Sequence, residues 1–130
     1  DHKVSGSLES SQISIKRIDD TTELDRGFDI GPMTIQLFEE KLMNAKRVII
    51  NGPMGCFENQ NYQEGTKKIY QFLTEHNIKT LVGGGDSAAS VNALSDARKF
   101  YHISTGGGAT LEYLEGTILP GISVINEKEA

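Results

Sequence analysis

Apolar and polar positions follow one rhythm in the first quarter of the chain and another in the rest. Gln12-Ile-Ser-Ile-Lys-Arg-Ile18 alternates apolar and polar side chains up to Lys16, which predicts a half-exposed strand, antiparallel to a short extended piece around Lys3-Val4-Ser5. Asp19-Asp20 and Arg26-Gly27 read as turns, and the serine-rich stretch from Ser5 to Ser11 reads as a loop. From Asp29-Ile-Gly-Pro32 the period becomes helical. Pro32 suits a first helical position, Ile35, Phe38 and Leu42 share one face, and Glu39, Glu40 and Lys41 lie outside it, so a helix to about Asn44 is expected. Arg47-Val-Ile-Ile50 then reads as a buried strand. Gly65-Thr66 precede a second helix with Ile69, Phe72, Leu73 and His76 along one side. Ile78-Lys-Thr-Leu-Val82 is a second strand that runs into Gly83-Gly84-Gly85, and an alanine-rich helix follows to about Arg98. Phe100-Tyr-His-Ile103 is a third strand, ending in Ser104-Thr-Gly-Gly-Gly-Ala109. A short helix from Thr110 to Glu115 is stopped by Gly116 and then by Pro120-Gly121.

Strand and helix alternate with short connections, so the expected class is α/β: part of a three-layer, Rossmann-like parallel sheet, with a small antiparallel β element near the N-terminus. Parallel strands place their C-terminal ends on one edge. The loops at 51–58, 83–87 and 104–109 should therefore open side by side.

Composition narrows the classes of partner. With 130 residues, 37% hydrophobic and 24% charged, the chain is an ordinary globular sequence, large enough for one core. A net charge of -5 and the lack of a Lys/Arg cluster argue against a nucleic-acid surface. No apolar run approaches membrane-spanning length, so no membrane partner is expected. A single cysteine, Cys56, excludes an internal disulfide, and no Asn-x-Ser/Thr sequon occurs; both fit a reducing cytoplasm. The abrupt start at Asp1-His-Lys-Val suggests a piece of something longer.

The chemistry concentrates in the glycine loops. Glycines let the backbone approach a ligand closely, and the unpaired amides and dipole at a helix start favour phosphate. Asp86 beside such a phosphate would be repulsive without a cation between them, and magnesium, which keeps substrate phosphates in its shell, is the natural one. The alternative is that Asp86 or Ser87 merely caps the helix. Gly83-x-Gly85-x-x-Ala88 satisfies a dinucleotide-binding pattern formally, yet the next strand ends in Ser104-Thr105 rather than in a ribose-binding acid. No P-loop and no G-x-S-x-G elbow occurs, and His2, His76 and His102 are isolated. Phosphoryl transfer suits the pattern better, because there the protein mainly positions the donor and stabilises charge on the transferring group. Amides at Gly84-Gly85 and Gly106-Gly107-Gly108 could do that, Asp86 could hold magnesium, and Glu58 could accept from ribose hydroxyls. The plainer reading of Glu58 is a solvated surface carboxylate.

Asn51-Gly-Pro-Met-Gly-Cys-Phe-Glu58, Gly83-Gly-Gly-Asp-Ser87, Ser104-Thr-Gly-Gly-Gly-Ala-Thr-Leu-Glu112 and Leu114-Glu-Gly-Thr-Ile-Leu-Pro-Gly121 closely resemble the C-terminal domain of phosphoglycerate kinases. Asp29-Ile-Gly-Pro32 and Gly65-Thr66 match that family in the same order. The resemblance implies a phosphotransferase of two domains, with Mg-ATP or Mg-ADP on the C-terminal domain and 3-phosphoglycerate or 1,3-bisphosphoglycerate on the N-terminal one. By position it implies that Asn51, Pro53, Phe57 and Glu58 line the nucleotide cleft, that Gly84, Gly85 and Ser87 bind phosphate, and that Asp86 binds magnesium. Gly85 and Gly106 to Gly108 would serve the transferring phosphoryl group. Ile50 stands where the family usually has Trp, and Cys56 where it usually has Val; both changes keep the position apolar. Nothing matches the family's N-terminal domain or the first half of its C-terminal one. Residues 1–130 are therefore expected to be the later part of one nucleotide-binding domain, inactive alone. The alternative from another class is a stand-alone nucleotide- or phosphate-binding module without transfer chemistry.

Overall fold

Two separate three-stranded sheets form, one for each rhythm of the sequence. The computed structural model describes residues 1–125. The first sheet is antiparallel and has the order β2-β1-β3, from β1 (His2–Ser5), β2 (Ser14–Lys16) and β3 (Arg26–Ile30). Lys3 lies opposite Ile15 on one side and Asp29 on the other, with a register shift between Lys3 and Val4 on the β3 side. The expected pairing of residues 3–5 with the alternating stretch is present, although β2 is short because a 3-10 turn begins at Ile18. Arg26-Gly27 departs from expectation. These residues pair with Ser5 and Val4 inside β3 rather than turning. The reversal is made upstream, where the Asp25 carboxylate accepts from Thr22 N (2.8 Å) and Thr22 Oγ1 (2.9 Å), and from Lys16 Nζ at 2.7 and 3.0 Å. That side-chain turn leaves Arg26-Gly27 free to join the ladder.

The second sheet is parallel, with the order β4-β5-β6, from β4 (Arg47–Ile50), β5 (Lys79–Gly83) and β6 (His102–Ser104). Between and after the strands come α1 (Pro32–Leu42), α2 (Glu64–Glu75), α3 (Gly85–Leu94), α4 (Gly107–Leu114) and the single turn α5 (Pro120–Ser123). Several boundaries differ from the sequence reading: Gly65-Thr66 lie in the first turn of α2 rather than before it, and β6 begins at His102 rather than at Phe100. The helix after β5 stops at Leu94 instead of Arg98, because Asp96 accepts from Arg98 N at 3.1 Å and caps a 3-10 turn over Ala97–Lys99. The last long helix begins inside the glycine run, at Gly107. Pro120-Gly121 opens a turn of helix rather than only ending one.

The core lies on one face of the parallel sheet. Ile50 and Val82 pack with Ile35, Ile69, Tyr70, Leu73, Val91 and Phe100, each such side chain contributing about 1.5–3 kcal/mol by leaving water. Within this core the Tyr70 hydroxyl pairs with Ser90 Oγ at 2.7 Å, so its polar end is satisfied, and its ring meets Phe100 edge-on. On the opposite face, by alternation, Ile49 is 51% exposed, while Leu81 is half-buried beside Ala109 and Thr110 of α4. Among the described residues no strand pairs with the outer edge of β4 or of β6. The sheet is thus an α/β sheet with one complete face and one partly covered face.

The Asp25 turn gives a pH test. Its hydrogen bond from Lys16 holds the carboxyl down to about 2 against an ordinary 3.8, so the ionised form is favoured in the folded chain. Its stabilisation is fully present above 3.8 and is lost as pH falls from there through about 2. Urea denaturation across that window should show an unfolding free energy that declines with acid, and Asp25→Asn should remove part of that decline.

Candidate functional site

The three loops expected to meet do meet, because β4, β5 and β6 are neighbours in one parallel sheet and share a C-terminal edge. The closeness is set by missing side chains. A Cβ on Gly107 would stand 2.8 Å from Asn51 Oδ1 and 2.9 Å from Gly84 Cα, so the loop after β6 touches the loop after β5 backbone to backbone. Asn51 Oδ1 lies in the same spot, 3.3 Å from where a Gly83 Cβ would be and 3.4 Å from where a Gly84 Cβ would be. Gly84 also has φ +99°, a left-handed conformation that glycine alone adopts cheaply. Gly107 needs to be glycine for a different reason, which is close approach.

Hydrogen bonds then sort the amides into used and free. Gly84 N donates to Ser104 O at 2.8 Å, and Gly106 N donates to Ser104 Oγ at 3.3 Å, so these two glycines stitch β5 to the β6 loop. Ala88 N and Thr110 N accept no ligand role either, since they donate to Gly84 O and Gly106 O. The first-turn amides of α3 at Gly85, Asp86 and Ser87, and those of α4 at Gly107, Gly108 and Ala109, precede the helical ladder and are the natural donors to an anion. Of the glycines singled out in the sequence, Gly85, Gly107 and Gly108 therefore present their amides, whereas Gly84 and Gly106 shape the turn.

Asp86 is exposed in the first turn of α3, and neither it nor Ser87 makes a capping hydrogen bond. The capping alternative is not what the geometry shows. Ser87 is 1% exposed, donates and accepts nothing through its hydroxyl, and stands beside Gly84. A buried hydroxyl left unpaired costs about 1–3 kcal/mol, and here that cost sits at the mouth of a helix start. Asn51 and Pro53 line an apolar groove of about 470 Å³ with Phe38, Leu42, Val48 and Ile49. Glu58 lies elsewhere: it is exposed and lines a separate surface recess with Leu8, Cys56 and Asn59. Phe57 is half-buried in the same loop. The structure thus brings Asn51, the β5 glycines and Gly107 together and sets Glu58 at the far end of its loop. Among the described residues no group of three or more His, Cys, Asp and Glu side chains converges for a metal. The histidines fit that picture, with His76 bonded through Nδ1 to Phe72 O at the end of α2 and His102 exposed on β6.

Two side chains that sequence patterns left without a role support the first loop. Thr66 is fully buried, and its Oγ1 accepts from Met54 N (2.9 Å) and Gly55 N (3.4 Å). Asp29, 4% exposed, accepts from Gly65 N at 2.9 Å and from Ile30 N at 2.9 Å. The only sequence signal for either was its place in a short glycine-bearing motif.

Alanine at each glycine separates these roles. Gly84→Ala and Gly107→Ala should each lower the unfolding free energy by about 1–3 kcal/mol, the first through backbone strain and the second through overlap with Asn51 and Gly84. Gly85→Ala and Gly108→Ala, where a Cβ meets nothing within 4 Å, should be neutral or stabilising by up to about 1 kcal/mol. Urea denaturation of the four variants checks the ranking.

A family model described as phosphoglycerate kinase matches residues 1–117. Phosphoglycerate kinase of Dictyoglomus turgidum is 51% identical over 121 residues, covering 92% of this chain and 31% of that protein. The one from Levilactobacillus brevis is 58% identical over 101 residues, covering 77% of this chain and 25% of that protein. Among solved structures, phosphoglycerate kinase from Coxiella burnetii superposes with a TM-score of 0.84 at 33% identity, over 94% of this chain and 32% of its own. The chain spans about a third of the length of these relatives. Sequence and fold agree from β1 through α4, and the chain belongs to the phosphoglycerate kinase family.

Proposed function

We propose that this chain is the later part of the C-terminal, nucleotide-binding domain of a cytoplasmic phosphoglycerate kinase, which moves a phosphoryl group between 1,3-bisphosphoglycerate and ADP in glycolysis. The observation that carries the reading is the convergence of Asn51, Gly84 and Gly107 at one sheet edge, with two helix starts beside them. In this reading the free amides of Gly85, Asp86 and Ser87 take nucleotide phosphate oxygens, and Ser87 Oγ gains the partner it lacks in the structure. The amides of Gly107 and Gly108 face the phosphoryl group in transfer, where preorganised donors stabilise charge as it develops. Asn51 and Pro53 border the nucleoside, and Phe57 and Glu58 lie further along the same cleft-forming loop.

Magnesium fits Asp86 in this arrangement. Its carboxylate is exposed and unpaired by any neighbour, and a single protein carboxylate is a usual complement for a magnesium ion that also binds phosphates. When bound, the ion would neutralise charge on the phosphate oxygens. In this reading the acceptor, 3-phosphoglycerate, is held by an N-terminal domain, and the chain spans about a third of the length of its relatives. Transfer needs donor and acceptor in line at near-contact distance, so the chain by itself is expected to bind nucleotide without turnover. A lone free cysteine, Cys56, agrees with a reducing compartment, and no helix among the described residues is long and apolar enough to cross a membrane.

Calorimetric titration of Mg-ADP and of ADP with EDTA tests the assignment. Asp86→Asn should weaken Mg-ADP binding about tenfold, as loss of a charged contact implies, while leaving metal-free ADP within about twofold. Equal loss in both titrations would remove Asp86 from the metal, and no nucleotide binding by the full-length protein would remove the function.

A further inference from the structure

The loop that carries Asn51 to Glu58 has to be held, and its support comes from the other sheet. Asp29 is the penultimate residue of β3, and its carboxylate lies at the junction of three segments: its own strand, the Gly55 turn and the first turn of α2. Asp29 Oδ2 accepts from Gly65 N at 2.9 Å in a buried bond. Both Gly55 and Gly65 press against the carboxylate so closely that a Cβ on either would overlap it, and at Gly55 also the carbonyl of Tyr62 at 2.5 Å. One residue along, Cys56 N donates to Phe28 O at 2.9 Å, tying the same turn to β3 through the backbone. Thr66, next to Gly65, receives the Met54 and Gly55 amides. We infer that Asp29 is a positioning residue for the nucleotide side of the site: its buried carboxylate locks the Asn51–Glu58 loop onto the start of α2 and so fixes where that loop presents its side chains.

Several features support that role over plain core filling. A carboxylate is an expensive group to bury, and burial pushes the Asp29 carboxyl above its ordinary 3.8, opposed by the amides of Gly65 and Ile30 and by Lys3 nearby. An apolar side chain would fill the space at lower cost but could accept neither amide. Its charged neighbours, Lys3 and Glu64, pair with each other at 2.6 Å. The carboxylate is thus left to the two amides rather than neutralised by direct contact with a cation. Gly65 lies in the first turn of α2, where an acidic acceptor is favoured by the helix dipole. The loop is consequently referenced to a strand and a helix rather than to itself.

The inference rests on the nucleotide reading above, and its test has a readout independent of that reading. In the full-length kinase carrying this chain, Asp29→Asn keeps the shape but retains only one acceptor oxygen, so its NH2 group must face either Gly65 N or Ile30 N. Alkylation of Cys56 by iodoacetamide, which reports loop position directly, should accelerate about five- to tenfold as the loop loosens, and the KM for Mg-ADP should rise about tenfold. kcat should stay within about twofold and the KM for the phosphoglycerate substrate should be unchanged. Gly55→Ala, which pushes on the same contact from the loop side, should give the same pattern. A folded Asp29→Asn enzyme with wild-type alkylation rate and wild-type nucleotide KM would overturn the inference. So would failure of both variants to fold, which would assign Asp29 to stability. Faster alkylation in a protein whose wild type binds no nucleotide would support the clamp and sink only the functional reading.

Discussion

A desolvated carboxylate between two sheets is the constraint on which the rest of this molecule hangs. Asp29 lies in β3 of the antiparallel sheet, opposite Lys3, and meets the parallel α/β unit through Gly65 and Gly55. Around it the joint is reinforced by Ser5 Oγ against the Tyr62 hydroxyl at 2.8 Å and by the Phe28 and Tyr62 rings, 5.0 Å apart. Tyr62 is fully buried although it lies in a connecting segment. Polar contacts of this kind are directional, so they set one relative placement where apolar packing alone would accept several.

At the other end of the parallel sheet the same logic operates through absence of side chains. Gly84 and Gly107 approach within contact of each other's backbone, and Asn51 Oδ1 occupies the space that remains. The result is two helix starts aimed at one region, with first-turn amides that no protein group uses. An unpaired hydroxyl at Ser87 stands here, in a protein whose other buried side-chain polar atoms among the described residues are paired. Unfavourable local terms of this sort persist where a ligand compensates them.

The incomplete second face of the parallel sheet is consistent with the length comparison. Ile49 on an edge strand, half exposed, and the exposed Ile118, Ile122 and Val124 near α5 are apolar groups without cover among the described residues. The relatives are about three times as long. An uncovered apolar face and open strand edges favour association with further polypeptide.

Much of the architecture was legible in residue order because it depends on local periodicity. The helical spacing from Ile35 to Leu42, the short β-branched run at Arg47–Ile50 and the glycine stops after Val82 and Ile103 each specify an element within a few residues, and alternation of strand with helix forces parallel pairing and a shared loop edge. The motifs at Asn51, Gly84 and Gly107 likewise fall together at the shared C-terminal edge of the parallel strands. Boundaries were less legible where side chains chose between competing hydrogen bonds: Asp96 ended α3 early, and Asp25 took the turn from Arg26-Gly27. Tertiary structure alone decided which glycine amides are free, because Gly84 N is consumed by Ser104, twenty residues away in sequence. It alone separated Asn51 from Glu58, and it alone revealed Asp29 and Thr66 as supports. Those roles depend on contacts between residues far apart in the chain, which no spacing rule encodes, since the partners become neighbours only after the two sheets have packed.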